Sequence, residues 1–414
     1  MRLRIKNLAT KVGSGVTPKG GASVYQDNGI PLFRSQNVTN DGFLLDDIAY
    51  ISEEIHKSMI GTRLMPNDVL LNITGASIGR CYYLPKNFKE GNVNQHVCII
   101  RPKVNVVIPA FLYYNLISAV GQQMIDFCQT GANREGLTKE DICNFEFDIP
   151  SLADQQRMVT YLDTKLSEID TQMSILTSKR DAYLRLKKSI INHAVTRGLN
   201  PNVKMKDSGI EWIGEVPEHW EVKRMKDICD YISRGSTPDY VDEDYQKVMN
   251  QGTFSKGWID ESNIRYTKVG KSGAHIKKGD LLMASTGGGV LGKILYFDSI
   301  DENYYADSHV TIMRNSKGIN SMKFLFYHFS LRFDEINATM TKGSTNQTEL
   351  QRYELLSHKV AIPPLPEQYA IATYLDDKCA KIDTIVSNFG KQISRYANLK
   401  RSLIDEVITG KRAV

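Results

Sequence analysis

The chain has 414 residues, of which 41% are hydrophobic and 24% charged, and its formal net charge is +5. This composition excludes a disordered protein, and the length predicts two domains. No uncharged stretch is long enough to cross a bilayer and the N-terminus lacks the apolar core of a signal peptide, so we expect a cytoplasmic protein without membrane contact. The mild positive charge permits a nucleic-acid partner, and six scattered cysteines without metal-like spacing favour reduced thiols.

The first block, residues 1–148, is typical of a mixed α/β domain. A Gly-x-Thr-Pro turn at residues 15–18 follows a short helix or strand. An apolar run at 67–74 then predicts a buried strand that leads into a glycine-rich loop. The remaining predicted elements are, in order, a strand at 81–84, an apolar helix from Phe111, a polar loop at 131–136 and a strand that ends at Ile149. The segment 94–101, between the first two of these, recurs in the second half at 307–314.

A long helix follows the first block, and its acidic first turn at Asp154 suits the helix dipole. Its apolar residues recur at alternating spacings of four and three, which is the pattern of a helix that buries one narrow seam against a partner helix. A polar connector with Gly and Pro ends the helix after Thr196. The predicted seam residues of this helix are Leu162, Leu166, Ile169, Met173 and Leu176.

The second block repeats the first in the same order, and it too ends in a long helix. Ile149–Thr196 aligns with Ile362–Thr409 without a gap, and 19 of 48 positions are identical. A duplicated unit whose halves meet through paired helices places its two blocks about a pseudo-two-fold axis, which is a symmetry of duplex DNA. The predicted seam residues of the second helix are Leu375, Ile382, Val386, Phe389 and Ile393.

Polar loops in both blocks carry the kinds of side chain that read base edges and hold phosphates in DNA complexes. These loops differ between the blocks whereas the helices agree; for example, Arg34-Ser-Gln-Asn stands opposite Met249-Asn-Gln-Gly. A shared frame with different loops is expected to recognise two different half-sites. The candidate DNA-binding residues are Arg34, Ser35, Gln36, Asn37, Thr74, Ser77, Arg80, Asn94, Gln95, Asn133 and Arg134 in the first block, and Asn250, Gln251, Thr253, Ser285, Thr286, Lys293, Ser308, Lys342, Ser344, Thr345, Asn346 and Gln347 in the second.

Three patterns that imitate catalytic, cofactor or metal sites are weaker interpretations. The Gly-x-Gly-x-x-Gly match at 287–292 is followed by an apolar run typical of a strand, whereas a dinucleotide-binding loop opens a helix. The carboxylates of Glu367 and Asp376 lie along one helix, so we do not expect them to converge on one metal ion. His96 and His309 occupy equivalent places without a ligand or triad partner at a suitable spacing, which favours a structural role. We therefore predict no catalytic residue, metal site or cofactor in this chain.

Several motifs are specific enough to indicate a family. One is Ile-Pro-Pro-Leu-Pro-Glu-Gln at 362–368 followed by Tyr374-Leu-Asp, with counterparts that begin at Ile149 and Tyr161. The others are Trp-Ile-Gly-Glu-Val-Pro at 212–217 and the Gly-x-Thr-Pro and Thr-Gly loops of both halves. On these motifs, over essentially its whole length, the chain resembles the specificity (S) subunit of type I restriction-modification systems.

The resemblance implies a mixed α/β protein with two α/β target-recognition domains, held apart by two long helices that form an antiparallel coiled coil. It implies domain 1 at 1–148, a central helix and connector at 149–200, domain 2 at 201–361 and a C-terminal helix at 362–414. Together the domains would read a bipartite site in double-stranded DNA, as part of a defence against foreign DNA.

The resemblance also implies partner subunits. Two methyltransferase (M) subunits that methylate adenine N6 would dock on the chain, and restriction (R) subunits would join them. S-adenosylmethionine, ATP and Mg would then bind those partners rather than this chain. Two alternatives stay open: a coiled-coil adaptor with protein partners only, and a fused DNA methyltransferase or nuclease that uses the Gly287 loop.

Overall fold

The structure is a computed structural model of the chain, and it describes residues 1–129, 136–211, 213–242, 246–268, 274–301, 303–343 and 348–414. By its internal contacts the chain divides into two units. Unit 1 comprises Met1–Thr177 with Lys391–Val414, and unit 2 comprises Ser178–Gly390. Each unit therefore contains one α/β block and a stretch of both long helices.

The strands and helices of unit 1 follow the predicted order. The strands predicted at 67–74 and 81–84 are confirmed as the seventh and eighth strands of the chain, and the predicted apolar helix begins at Pro109. The repeated segment 94–101 contains most of the tenth strand. Most of the polar loop predicted at 131–136 lies outside the described residues. The elements are β1 (Arg2–Arg4), α1 (Ile5–Leu8), β2 (Ala9–Ser14), β3 (Ile30–Phe33), β4 (Val38–Thr39), β5 (Gly42–Phe43), β6 (Ala49–Ile51), α2 (Glu53–Ser58), β7 (Val69–Asn72), β8 (Cys81–Tyr83), β9 (Asn92–Val93), β10 (Val97–Pro102), α3 (Pro109–Ile117), α4 (Ala119–Gln129), α5 (Lys139–Asn144), β11 (Glu146–Asp148) and α6 (Leu152–Arg197), which continues into unit 2.

Unit 1 is built on a four-stranded antiparallel sheet with the strand order β2-β10-β7-β8. Val69 and Leu71 of β7 face one core cluster, which includes residues of α3, α6 and the last turns of the C-terminal helix. Leu70 faces the opposite cluster, where the sheet packs against Phe33 and Val93. Because both faces of β7 are buried, its sequence is a continuous apolar run rather than an alternating one. A second sheet, β6-β3-β9, pairs β3 with β9 in parallel.

Unit 2 repeats this architecture. Its four-stranded sheet has the order β15-β22-β19-β20, and a second sheet, β16-β18-β17-β21, contains one parallel pair at the place of β3-β9. An additional hairpin, β12-β13, precedes the repeated part. The elements are β12 (Met205–Asp207), β13 (Glu215–Pro217), β14 (Glu221–Arg224), α7 (Met225–Ile228), β15 (Tyr231–Arg234), β16 (Tyr240–Val241), β17 (Gln246–Met249), β18 (Arg265–Thr267), β19 (Leu281–Ala284), β20 (Ile294–Tyr296), β21 (Tyr304–Ala306), β22 (Val310–Arg314), α8 (Met322–Ser330), α9 (Phe333–Thr339), β23 (Thr341–Lys342), β24 (Glu349–Leu350), α10 (Arg352–Ser357), β25 (Lys359–Ile362) and α11 (Leu365–Ile408).

Within unit 1, the first half of α6 packs beside the last turns of α11. Tyr161 accepts a hydrogen bond of 3.3 Å from Arg412, which follows the end of α11, and further along α6 Asp170 forms an ion pair of 2.7 Å with Lys400. Because the partner number falls as the α6 number rises, the two helices run antiparallel. The apolar residues of α6 and α11 that share one core cluster in this unit are Val159, Leu162, Leu166, Ile169, Leu403, Ile404, Val407 and Ile408.

Within unit 2, the second half of α6 packs beside the first half of α11 in the same antiparallel sense. Lys187 pairs with Asp383 at 2.7 Å, and the rings of Tyr183 and Phe389 lie 5.8 Å apart. Lys187 and Asp383 are the repeat equivalents of Lys400 and Asp170, so each unit holds its two helices with the same ion pair in exchanged roles. The predicted α/β class with paired antiparallel long helices is confirmed.

The predicted seam residues lie on the buried faces of α6 and α11. Every third or fourth position is buried or half-buried, which is the pattern of a narrow apolar stripe on one side of each helix. No helix in the described ranges combines the length and the apolar character that a membrane span requires. The buried seam residues are Leu162, Leu166, Ile169, Leu176, Leu375 and Ile382, and the half-buried ones are Met173, Val386, Phe389 and Ile393.

Candidate nucleic-acid interface

In each unit, a threonine and a histidine meet at one edge of the four-stranded sheet. The threonine follows β7 in unit 1 and β19 in unit 2, and the histidine lies in the turn before β10 or β22. Thr74 Oγ1 lies 2.6 Å from His96 Nδ1 in unit 1, and Thr286 Oγ1 lies 2.7 Å from His309 Nδ1 in unit 2. The backbone amide before each threonine donates to the carbonyl of the same histidine. We call this surface, defined by the Thr–His pair of each unit, the loop edge.

The turn that carries each histidine is closed by the polar residue two positions earlier. Asn94 Oδ1 accepts the His96 amide at 3.1 Å, and Asp307 Oδ1 accepts the His309 amide at 2.8 Å. Burial raises the pKa of the Asp307 carboxyl, and hydrogen bonds from the His309 amide and from Tyr240 act in the opposite direction. The equivalent roles of Asn94 and Asp307 explain why the turn survives a change from amide to carboxyl.

The Gly-x-Thr-Pro motif has a steric cause at the loop edge. The amide of Gly15 donates to Val97 at 2.9 Å, and a Cβ at Gly15 would lie 2.1 Å from the carbonyl oxygen of Val93. In unit 2, a Cβ at Gly235 would likewise lie 2.1 Å from the carbonyl oxygen of Ala306. Real Cβ atoms do not approach that closely, so only glycine lets this segment lie against the next strand.

The first turn of the loop edge differs by one position from the sequence alignment. Arg34 donates its amide to Asn37, and Asn250 donates its amide to Thr253, so the structure aligns Arg34 with Asn250 and not with Met249. The residues before the two turns are also equivalent, because the carbonyl of Phe33 accepts the backbone amide of Asn94 and the carbonyl of Met249 accepts that of Asp307. The pairing of Arg34 with Met249 expected from the sequence was therefore wrong by one residue. The match of short polar segments carries too little information to fix such a register.

The candidate residues of unit 1 fall into three groups by exposure. Arg34 is half-buried, with its guanidinium 2.7 Å from the carbonyl of Asp47 and 3.2 Å from the carboxylate of the same residue. Asn37 is buried and donates to the carbonyls of Leu44 and Asp47, so it supports the turn from inside. The exposed candidates are Gln36, Arg80 and Gln95; the half-buried ones are Arg34, Ser35, Thr74 and Ser77; the buried ones are Asn37 and Asn94.

The candidates of unit 2 divide in the same way. Thr253 is fully buried inside its turn, and Ser285 is fully buried with its hydroxyl 2.6 Å from that of Thr311. Lys293 is half-buried and donates to the carbonyl of Ser255 at 2.8 Å. The half-buried candidates are Asn250, Gln251, Thr286, Lys293 and Ser308, and the exposed one is Lys342; Asn133, Arg134, Ser344, Thr345, Asn346 and Gln347 lie outside the described residues.

A buried ion pair at the opposite end of the same strands was missed by sequence analysis. Asp68 accepts Arg101 Nε at 2.7 Å and Nη2 at 2.9 Å, and Asp280 accepts Arg314 Nε and Nη2 at 2.6 Å each. The side chains of Asp68 and Asp280 are 0% and 1% exposed. The hydrogen bonds raise the pKa of both arginines. The signal was present, because both residues recur at equivalent places in the two copies.

Two motif positions of the long helices fasten each helix to its α/β block. Gln155 accepts the amide of Ile108 at 2.8 Å, and Gln368 accepts the amide of Ser321 at 2.7 Å, so each glutamine holds the start of α3 or α8. The aspartate of each Tyr-Leu-Asp motif accepts a hydrogen bond from a tyrosine hydroxyl of α3 in unit 1 or of α8 in unit 2. These contacts join Tyr114 to Asp163 at 2.5 Å and Tyr327 to Asp376 at 2.6 Å, and burial, followed by the bond to aspartate, raises the pKa of both tyrosines.

The loop at 287–292 joins β19 to β20, which pair in antiparallel fashion. It therefore opens no helix whose N-terminus could face a phosphate, as a dinucleotide site requires. In the described part of the chain there is also no group of three His, Cys, Asp or Glu side chains that could hold a metal ion.

The fold defines a duplicated α/β protein in which each copy presents polar loops at one sheet edge and is fastened to paired long helices. The family model for the type I restriction modification DNA specificity domain matches residues 2–176 and 217–389. The chain belongs to this family, and it carries two copies of the domain.

Relatives and solved structures agree with this assignment. The chain is 21% identical to the type I restriction enzyme EcoKI specificity subunit of Escherichia coli, over 96% of this chain and 86% of the relative. It is 22% identical to the putative MjaX specificity subunit of Methanocaldococcus jannaschii, over 98% and 92%. A chain from a structural study of assembly and conformational transition of the type I R-M system matches with a TM-score of 0.76, at 14% identity over 99% and 97%. The HsdS subunit of Thermoanaerobacter tengcongensis matches with a TM-score of 0.54, at 14% identity over 100% and 97%.

Proposed function

We propose that this chain is the DNA-reading subunit of a type I restriction-modification complex and that each α/β block reads one half of a bipartite site. The observation that carries the proposal is that the two units share their structural contacts but differ in the side chains that their loops expose. The Thr–His pair, the Gly-x-Thr-Pro contact and the buried Asp–Arg pair recur in both units, whereas the side chains exposed around the loop edge differ. A repeated frame with different exposed groups suits two half-sites of different sequence.

We assign DNA contact to the candidates with exposed or half-buried side chains and a supporting role to the buried ones. Arg80 and Lys342 are exposed cations, and such groups hold phosphates or read guanine. The buried candidates form hydrogen bonds inside the protein and so support the loops that carry the other candidates; they are Asn37, Asn94, Thr253 and Ser285. We keep residues 1–148 and 201–361 as the two recognition blocks of this proposal.

In the same proposal, residues 149–200 and 362–414 provide the helices that set the unread spacer and dock two M subunits, through which R subunits join. The helices also carry exposed apolar side chains, which a docked M subunit would remove from water. S-adenosylmethionine, ATP and Mg would bind those partners, which methylate adenine N6, and this chain would supply no catalytic group. The exposed apolar side chains are Ile175, Leu184, Leu186, Tyr369 and Leu399, between 40% and 53% exposed.

An exchange of blocks tests this function. Replacing residues 1–148 by the corresponding block of another family member, in cells that also express the M subunits, should change one half of the methylated sequence and leave the other half unchanged. Single-molecule sequencing of methylated adenines gives the result. A methylated sequence that keeps both halves after the exchange contradicts the proposal.

The helices give a matched control for the block exchange. Inserting one heptad into each long helix adds about 10 Å, which corresponds to about 3 base pairs of B-DNA. The spacer should lengthen while both half-sites stay the same. Purified chain that binds no duplex at low salt would favour the coiled-coil adaptor, and binding of the methyl donor by the purified chain would favour the fused enzyme.

A further inference from the structure

Gln251 in the first turn of unit 2 has an amide oxygen without a hydrogen-bond partner. The Oε1 atom is shielded from solvent, although the residue as a whole is half-buried. An acceptor left unpaired in this way is unfavourable, and such groups in native proteins call for an explanation. The side chain thus has hydrogen-bonding capacity that the described part of the protein does not use.

The turn that carries Gln251 is fixed at the loop edge of unit 2. Asn250 Oδ1 accepts the amides of Gly252 and Thr253 at 2.8 and 3.2 Å, which closes the turn on both sides of Gln251. The carbonyl of Met249 accepts the amide of Asp307, two residues before His309. A Cβ at Gly287, next to Thr286, would lie 3.8 Å from Gln251 Nε2. The backbone around Gln251 is therefore fixed by hydrogen bonds, whereas the amide oxygen of its side chain has no hydrogen-bond partner among the described residues.

Among the described residues of unit 1, the equivalent turn contains no uncommitted glutamine amide. The turn geometry aligns Gln251 with Ser35, whose side chain is shorter and whose backbone carbonyl accepts a hydrogen bond of 2.7 Å from the side-chain amide of Asn72. The neighbouring glutamine, Gln36, donates its amide to the carboxylate of Asp47. An uncommitted glutamine amide therefore distinguishes unit 2 from unit 1 at this turn.

We propose that Gln251 reads one adenine in the half-site of unit 2, an inference that rests on the proposed function. A glutamine amide presents one acceptor and one donor side by side, and these match the N6 amino group and N7 of adenine in the major groove. The terminal torsion of glutamine is soft, so the amide turns without moving the turn backbone. The adenine is one that is not methylated, because a methyltransferase takes its target base out of the stack.

Two substitutions test the assignment in the complete complex with its M subunits. Gln251→Ala should make one adenine position of the unit 2 half-site degenerate, with a loss of discrimination of roughly 10- to 100-fold in binding of matched duplexes. Gln251→Glu should shift the preference at that position from adenine to cytosine, because a carboxylate accepts from the cytosine amino group. Gln351→Ala is the matched control, since Gln351 is a half-buried glutamine of the same unit outside the candidate residues and its side-chain amide donates to the carbonyl of Glu349 at 3.3 Å; it should leave both half-sites unchanged.

The outcomes separate this inference from the proposed function. If the block exchange moves a half-site but Gln251→Ala leaves the methylated sequence unaltered, the inference is wrong and the function stands. Uniformly weaker methylation without a change of sequence overturns it as well, because it indicates a phosphate or structural contact. Two other results also overturn the inference. One is the loss of all methylation in both Gln251 variants, and the other is a unit 2 half-site that contains no adenine besides the methylated one.

Discussion

Loss of Arg314 should destabilise unit 2 strongly, because it leaves the carboxylate of Asp280 buried without its counter-charge. The Asp280 side chain is 1% exposed, and Arg314 supplies two hydrogen bonds of 2.6 Å to it. After Arg314→Met, the carboxylate keeps one bond of 2.7 Å from the Lys277 amide. Breaking a buried pair from one side costs about 3–5 kcal/mol. For a unit of this size, that corresponds to a fall in melting temperature of roughly 6–20 °C.

Tryptophan fluorescence reports this change selectively. All three tryptophans of the chain fall in the residue range of unit 2, and Trp220 is fully buried there. Denaturant unfolding followed by fluorescence should therefore show the loss for Arg314→Met, and Asp280→Asn combined with Arg314→Met should recover part of it, since the unpaired charge is removed. Arg101→Met removes the equivalent pair from unit 1, where no tryptophan reports, so circular dichroism should detect that loss. A cost below about 1 kcal/mol, typical of an exposed pair, would refute the reasoning.

Three further changes should give measurable results in unit 2. His358 is buried with its Nε2 atom 3.3 Å from Nε2 of His328, and burial lowers the pKa of His358 from 6.5 to about 3. The stability that this neutral histidine contributes above pH 6.5 is therefore lost as the pH falls toward 3, by up to about 1.4 kcal/mol per pH unit. The urea midpoint of unfolding between pH 7.5 and 5 measures this loss, and His358→Phe should flatten the dependence. Gly235→Ala should cost at least about 1–3 kcal/mol, because its Cβ would lie 2.1 Å from the carbonyl oxygen of Ala306; an unchanged melting temperature would argue against this contact. Tyr327→Phe should cost about 1–2 kcal/mol through the lost bond to Asp376, and a double-mutant cycle with Asp376→Asn should show coupling between the two residues.

The repeat made much of the fold predictable. The seam of α6 and α11 follows from spacing alone, and the strand at 67–74 follows from an apolar run that ends in glycine. The roles of Asp68 and Arg101 did not follow, although both recur in the second copy. They lie 33 positions apart, and only the antiparallel pairing of β7 with β10 brings their side chains within 2.7 Å. Contacts between distant positions depend on register, which local patterns do not encode.

The candidate DNA-binding residues show the same division. The candidates are polar residues in loops, and all of the described ones except the buried Asn37, Asn94, Thr253 and Ser285 have exposed or half-buried side chains. Asn37 and Gln36 carry the same functional group, so the sequence does not distinguish them, although the side-chain amide of Asn37 holds its own turn and that of Gln36 bonds to Asp47. A structural role was predicted for His96 and His309, but their threonine partners, Thr74 and Thr286, follow only from the structure.

The amino-acid sequence by itself determined that this protein is duplicated, that each copy is a mixed α/β block and that each copy ends in a helix with one narrow apolar seam. These properties are periodic or repeated along the chain, so local patterns are sufficient to reveal them. Only the tertiary structure decided which polar groups are consumed inside the turns and which remain available at the loop edge. That distinction depends on what each side chain meets in space, and burial and hydrogen bonding are set by packing between segments far apart in sequence.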